Sequence, residues 1–181
     1  MKVKKLHSFG RRIAASAAIL FALPSFAYDF EVDGLYYDVV SFTDLTCRVV
    51  NNGSDNTYSG DIAIPDEVTY NNRRLKVTEI GGNAFQACGK LDNVIIGNNV
   101  TYIGESAFYQ SSLEEITFGE SVSIIDVAAF HGCTRLTKVN LNEALTSIGS
   151  DAFSSTTNLI EMALPEGLKT LGSDAFQSSG I

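Results

Sequence analysis

The sequence has few of the residues from which metal sites and disulfide frameworks are built. Only three cysteines occur among 181 residues, and no two of them are close in sequence. An odd number of widely separated cysteines is not the pattern of a disulfide framework, and the lack of a CxxC pair disfavours zinc. We therefore expect Cys47, Cys88 and Cys133 to be thiols, with Cys88 and Cys133 packed as small core residues.

Long apolar runs are also scarce, and the one near the start is short. It covers residues 13–23, and Pro24-Ser25-Phe26-Ala27, which supplies small residues around a cleavage site, follows it. Five basic residues precede the run, namely Lys2, Lys4, Lys5, Arg11 and Arg12. These three features are typical of a secretory signal peptide. We interpret residues 1–27 as this signal, with cleavage after Ala27; an uncleaved N-terminal anchor is the alternative.

No later segment is apolar over the length that a membrane span requires. The sequence therefore predicts an exported chain, located at the cell surface, in the extracellular space or in the periplasm, with no membrane insertion after cleavage. Residues 1–27 hold five of the 13 basic residues and none of the 21 acidic ones, so the remainder carries a formal charge of −13. This charge disfavours nucleic acid and anionic membranes as partners and is compatible with basic or neutral ones.

A repeat of 22–23 residues is the strongest signal in the sequence. Four full units and a partial fifth extend over residues 77–181, and each contains the dipeptide Ala-Phe. The phenylalanines of these dipeptides are Phe85, Phe108, Phe130, Phe153 and Phe176. A unit of this length buries its apolar face only by stacking on its neighbours, so the period predicts a repeat solenoid, α/β to mainly β.

Each unit predicts a strand, a turn and a short helical segment. In the second unit, Leu113, Ile116 and Phe118 alternate with variable residues, which indicates a strand with one buried face. An inward isoleucine and a glycine, Ile103 and Gly104 in the same unit, predict a turn with positive φ. The residues around Ala-Phe predict one short helical turn. Equivalent strands of stacked units are expected to pair in parallel at about 4.8 Å.

Residues 28–76 do not follow the repeat. Apolar and polar residues alternate over residues 35–40 and 46–50, and turn-forming residues separate these stretches. We interpret the segment as a β-rich N-terminal cap of antiparallel strands, which would cover the open end of the solenoid. No cap is recognisable at the other end, so we expect either that the sequence is a fragment of a longer array or that this end stacks on a partner or on a second copy.

The repeating unit resembles a known family. Its pattern, Ile-Gly-x-x-Ala-Phe-x-x-Cys-x-x-Leu-x-x-Val-x-Ile, is similar to the BspA-type leucine-rich repeat of surface proteins from host-associated bacteria. Ile62-Ala63-Ile64-Pro65 resembles the strand end of a preceding, modified unit. The resemblance implies a right-handed, curved solenoid with short helical turns, surface exposure, and an adhesive or protein-binding role without catalytic residues or cofactors.

The asparagine ladder of many eukaryotic leucine-rich repeats is missing. Its positions hold Asn99, Ser121, Ala144 and Gly167. This departure fits the bacterial type of repeat and argues against a receptor-like horseshoe.

The sequence does not support an enzyme. His131 is the only histidine after residue 27, and its equivalents in other units are Gln86, Tyr109, Ser154 and Gln177, so it occupies a variable surface position. A catalytic triad or a Cys-His pair would require this histidine beside a nucleophile. Four acids between residues 29 and 38 do not have the spacing of an EF-hand loop, so no metal is predicted.

The variable strand positions are the candidate binding residues. Side chains that alternate with the inward ones should form two columns on the concave face of the parallel sheet, where solenoids usually bind ligands. The first column is Asn93, Glu115, Lys138 and Glu161; the second is Ile95, Thr117, Asn140 and Ala163. Their mixed chemistry suits a protein, such as a host matrix protein or another surface protein, or a glycan. Merely solvated columns, and a structural role through the open C-terminal end, are the alternatives.

Overall fold

The computed structural model describes residues 28–53 and 58–181, so the predicted signal peptide lies outside the described residues. The described part contains thirteen strands and no helix. The strands are β1 Phe30–Val32, β2 Leu35–Ser41, β3 Thr46–Val50, β4 Ser59–Ala63, β5 Glu67–Tyr70, β6 Arg73–Ile80, β7 Lys90–Ile95, β8 Tyr102–Ile103, β9 Glu115–Thr117, β10 Ile124–Ile125, β11 Lys138–Asn140, β12 Ser147–Ile148 and β13 Thr170–Leu171.

The strands form two sheets, which we call the first and the second sheet. The first has the order β1-β2-β3-β6-β8-β10-β12-β13, with β5 paired to β6, and the second has the order β11-β9-β7-β4. From β6 to β12 successive strands alternate between the two sheets, and all pairs among them are parallel. This alternation is that of a stacked-coil solenoid, in which each coil contributes a strand to both sheets.

The parallel strands of the second sheet agree with the strand prediction, whereas those of the first sheet were not predicted as strands. The inward isoleucines were predicted only as anchors before a turn. They lie in strands that are only two residues long from β8 onward, and Ile80, Ile103, Ile125, Ile148 and Leu171 are register partners along this ladder.

The prediction of a short helical turn around Ala-Phe is wrong, because these residues form consecutive β-turns. Alternate N–H groups bond to the neighbouring coil: Phe108 donates to the carbonyl of Ala129 at 2.7 Å. The intervening N–H groups close four-residue β-turns, as the N–H of Tyr109 does by donating to the carbonyl of Ser106 at 3.0 Å. An α-helix requires each N–H to bond four residues back, so this division excludes it. The turns thus form a third hydrogen-bonded ladder between coils.

The predicted positive φ at the glycine after each inward isoleucine is also wrong. Positive φ occurs instead two residues before and two residues after each repeat phenylalanine, at Asn83, Ser106, Ala128, Asp151, Asp174, Ala87, Gln110, Gly132, Ser155 and Ser178. The glycines are required by close approach of the backbones. A Cβ at Gly149 would lie 2.6 Å from the carbonyl carbon of Asp126 in the preceding coil.

A column of stacked rings forms the centre of the core. The rings of Phe85, Phe108 and Phe130 are fully buried and nearly parallel, with centroids 4.8 and 5.0 Å apart. Phe153 and Phe176 continue the column at 5.0 and 5.5 Å, and Tyr58 joins it to the cap at 4.6 Å from Phe85. The alanine before each phenylalanine is buried. Offset-stacked rings at this separation are favourable beyond the area that they bury.

Hydroxyl side chains connect the coils where no asparagine ladder exists. Thr101, Ser123 and Thr146 lie at equivalent positions just before the strands of the first sheet. Each donates both its N–H and its hydroxyl to a carbonyl one coil earlier, and the hydroxyl bonds are 3.1–3.3 Å long. The acceptor is always the carbonyl of the residue at the same position in the preceding coil. These hydrogen bonds therefore repeat once in every coil.

The segment before the repeats is rich in strands. Strands β1, β2 and β3 pair antiparallel, and β3 then pairs in parallel with β6, so the cap extends the first sheet. Cys47, Cys88 and Cys133 are buried thiols, and the sulfur of Cys133 donates to the carbonyl of Phe108 at 2.9 Å. Burial raises the pKa of Cys47 to about 12 and that of Cys133 to about 11.

Candidate binding face on the second sheet

Strands β7, β9 and β11 bring together six of the eight predicted binding residues. Asn93, Glu115 and Lys138 are register partners in one column. Ile95, Thr117 and Asn140 are partners in the next. The residues between them, Val94, Ile116 and Val139, are buried, so both columns point away from the core. We call these six residues the second-sheet face.

Hydrogen bonds fix the polar side chains of this face. Lys138 donates to the carboxylate of Glu115 at 2.6 Å, and the side-chain amide of Asn140 donates to Glu115 at 3.1 Å and to Thr117 at 3.3 Å. The hydrogen bond from Lys138 is the main reason that the pKa of Glu115 is below its usual value. The carboxylate is therefore charged at neutral pH and held in place by two donors.

The polar column continues into the cap, which sequence reasoning missed. The side-chain amide of Asn93 donates to the carboxylate of Asp61 in β4 at 2.7 Å. Strand β4 pairs with β7 in parallel, with Ile62 opposite Val94. The signal for this extension was the resemblance of residues 62–65 to a strand end. Asp61 is not among the predicted binding residues, because the strand pairing is irregular between Gly60 and Ile62 and the repeat pattern is interrupted there.

An exposed isoleucine lies among these polar residues. Ile95 is 58% exposed, and its register partners are Ala63 on one side and Thr117 on the other. An apolar side chain surrounded by fixed polar groups has the composition of a small protein-binding surface, with an apolar centre and a polar rim.

The expected fourth strand, which would carry Glu161 and Ala163, does not form. Leu159 is buried as predicted, but Leu164 is 44% exposed and the segment between them is irregular. Both predicted binding residues are exposed in this segment, beyond the edge strand β11. Residues 172–181 form no strand beside it, and no strand of the described part of the chain pairs with this segment.

The histidine that the sequence offered as a catalytic candidate lies outside the second-sheet face. His131 is half-buried, and its ring stacks on Tyr109 with centroids 5.1 Å apart. Within the described ranges, no group of three or more His, Cys, Asp or Glu could hold a metal ion. Across residues 28–53 and 58–181, no helix has the length and apolarity of a membrane span.

The repeat, the two parallel ladders and the ring column define a solenoid of stacked coils. Residues 61–181 match the BspA-type leucine-rich repeat region in six copies. This match covers more than half of the chain, and the chain therefore belongs to the BspA-type leucine-rich repeat family. The matched region begins before the first regular unit and includes residues 62–65, and strand β4 in this part pairs with β7.

Solved structures show the same fold. A leucine-rich repeat protein from Bacteroides ovatus is 35% identical over 82% of this chain and 38% of its own, with a TM-score of 0.73. The T. pallidum leucine-rich repeat protein is 26% identical over 81% of this chain and 65% of its own, with a TM-score of 0.72. The pneumococcal vaccine antigen PcpA, at 22% identity and a TM-score of 0.60, shares the fold. No curated protein matches the sequence.

Proposed function

We propose that this chain is an exported, cell-surface module of adhesion type that binds another protein through the second-sheet face and has no catalytic activity. The observation that carries the proposal is the fixed network of Glu115, Lys138 and Asn140 beside the exposed Ile95. Export rests on the signal-peptide pattern of residues 1–27.

The rigidity of the face supports binding. Strands of neighbouring coils lie about 4.8 Å apart and are held by a packed core, so they present their side chains at fixed spacing. Because Glu115 is already bonded to Lys138 and Asn140, these side chains lose little further freedom when a partner binds. A preorganised face therefore binds more tightly than a flexible one of equal area.

The chemistry of the face favours a protein partner. Charged, amide and hydroxyl groups surround one apolar side chain, as in many protein interfaces. Stacking aromatic rings, which would favour a sugar, are not among the six residues of the face. A host matrix protein or another surface protein is the proposed partner, and a glycan is the alternative.

Pull-down from host matrix and cell-surface extracts, together with a glycan array, tests the proposal. The replacement of Glu115, Lys138 and Asn140 by alanine should abolish capture of the protein partner. The matched control replaces Glu166, Lys169 and Asn158, which are exposed and have the same charges. Equal capture by the two triple variants and the unmodified chain would contradict the proposal.

A structural role in self-assembly is the second candidate. Apolar side chains are exposed after the last strand of the second sheet, with Ile160 at 73%, Leu171 at 52% and Ile181 at 56%. Burial of these side chains against another coil would be favourable, and β13 is an edge strand to which a further strand could pair. Light scattering between micromolar and millimolar concentrations should then show growing particles, whereas a constant monomer mass would exclude assembly.

A further inference from the structure

A cleft of about 590 Å³ lies in the N-terminal part of the molecule, next to the end of the second sheet. It is bounded by the β1–β2 turn, by β4 and by β5, and its walls include Asp33, Tyr37, Asp61, Ala63 and Glu67. Strand β4 separates it from the second-sheet face, because Asp61 accepts a hydrogen bond from Asn93 and Ala63 is the register partner of Ile95. This volume is within the roughly 300–1,000 Å³ that ligand sites usually have. Neither the repeat nor the proposed function accounts for it.

The cleft results from unequal extension of the two sheets. Beyond β6, the first sheet continues through β3, β2 and β1, whereas the second sheet ends at β4. The β1–β2 hairpin therefore extends past the end of the second sheet. The cleft is lined by β4 on one side and by the β1–β2 turn on another, which is where one more strand of the second sheet would lie.

Among the described residues no strand pairs with the outer edge of β4, and the backbone groups of this edge face the cleft. The N–H of Ile64 bonds to the carbonyl of Ile95 in β7, at 2.8 Å. Alternate residues of a strand direct their N–H and C=O groups to opposite edges, so those of Ala63 point away from β7. Ala63 also lines the cleft. An edge strand of this kind is a template for pairing with another extended chain.

The charge of the cleft specifies the chain that fits it. Asp33, Asp61 and Glu67 line it together with one base, Arg74, and Arg74 forms an ion pair with Glu67. Two carboxylates therefore remain without a basic partner among the lining residues. They favour a ligand with positively charged side chains.

We propose that an extended peptide with basic side chains binds in this cleft and adds as a strand to the free edge of β4. Its backbone pairs with the groups of Ala63, and its basic side chains approach Asp33 and Asp61. This is strand addition, in which main-chain bonds supply affinity and alternate side chains supply specificity. Strand β4 has five residues, so about 16 Å of extended peptide would pair with it.

The probe is a ten-residue peptide of alternating lysine and valine with one tryptophan. The chain has no tryptophan, so fluorescence titration of the purified full chain reports the peptide alone. The same peptide with glutamate for lysine should bind at least about tenfold more weakly. Absence of binding by the lysine peptide would overturn the proposal. Concentration-dependent growth in light scattering without peptide binding would identify a second copy as the occupant and would also overturn it.

Two matched pairs of variants locate the site. Asp33→Asn with Asp61→Asn should weaken binding at least about threefold, whereas Glu143→Gln with Glu166→Gln, an equal charge change at exposed sites, should leave it unchanged. Ala63→Pro removes the backbone N–H of residue 63, which would donate to the added strand, and should weaken peptide binding at least about tenfold. Ala163→Pro is its control, because Ala163 also precedes an apolar residue and a proline.

Further measurements distinguish peptide binding in the cleft from binding on the second-sheet face. The alanine variant of Glu115, Lys138 and Asn140 should bind the peptide normally; loss of peptide binding there would place the ligand on that face and overturn the proposal. An equal effect of the two charge-neutralised pairs would show non-specific attraction and would also overturn it. If circular dichroism shows that Ala63→Pro is unfolded, the amide NMR shifts of residues 59–63 are measured in the unmodified chain with and without the peptide. Shifts that the peptide leaves unchanged would contradict the proposal.

Discussion

Single residues of the repeat have roles that depend on whether they contact the next coil. The repeat phenylalanine fills the space between coils, and the alanine before it allows the backbones to approach. Both roles could be predicted, because five Ala-Phe pairs at a constant period leave little other use for a buried ring. The stacked geometry of the rings could not be predicted, because it depends on the separation of the coils.

Phe130→Ala tests this role of the ring. Phe130 lies between Phe108 and Phe153, at 5.0 Å from each, and is fully buried. Its loss should reduce the free energy of unfolding by about 3–5 kcal/mol in urea denaturation. Phe176→Ala is the control, since Phe176 is only partly buried and stacks on Phe153 alone, and it should have a clearly smaller effect. Equal losses would contradict the ring column.

The sequence predicts those strands that are long enough to show an alternation of apolar and polar residues. Three residues of alternating burial, as in Glu115–Thr117, indicate a strand, whereas two residues, as in Tyr102–Ile103, are too few to show a period. The β-turns around Ala-Phe were mistaken for a helical turn because both are compact and tolerate the same residues. Their bonding to the neighbouring coil is a tertiary feature that a single unit does not reveal.

Close contact between coils predicts a difference between two glycines. A Cβ at Gly149 would lie 2.6 Å from backbone atoms of the preceding coil, whereas at Gly167 it would be 3.5 Å from the nearest atom. Gly149→Ala should therefore destabilise the chain by about 1–3 kcal/mol, as other overpacked sites do. Gly167→Ala should be neutral or slightly stabilising, because it restricts the unfolded chain. Thermal denaturation of both variants measures the difference, and two equal shifts would refute the close approach.

For the molecule as a whole, the sequence predicted stacking, a cap and the polar columns, because these follow from the period and its interruption. It could not show the cleft beside β4, because the cleft arises from the unequal extension of two sheets. It also missed the bond between Asp61 and Asn93, since the register shift in β4 breaks the repeat at that point.

The buried thiols predict a loss of stability in alkali. Burial raises the pKa of Cys133 to about 11 and that of Cys47 to about 12, above the ordinary thiol value of 9.0. Above about pH 9 the unfolded chain loses these protons while the folded chain keeps them, so unfolding becomes more favourable as the pH rises toward about 11. The urea midpoint should fall between about pH 8.5 and about pH 10.5, and less steeply in Cys133→Ala than in the unmodified chain. Equal slopes would show that this thiol does not contribute.

The most direct test of the proposed binding face is a charge exchange within it. Glu115→Lys with Lys138→Glu keeps an ion pair and an exposed surface, so the free energy of unfolding should change by no more than about 0.5 kcal/mol. Affinity for the captured protein partner should nevertheless fall at least about tenfold, because its charges meet the opposite pattern. The control exchange, Glu114→Arg with Arg135→Glu, reverses another exposed pair outside the face and should bind normally. Unchanged affinity after the exchange of Glu115 and Lys138 would contradict recognition through the second-sheet face.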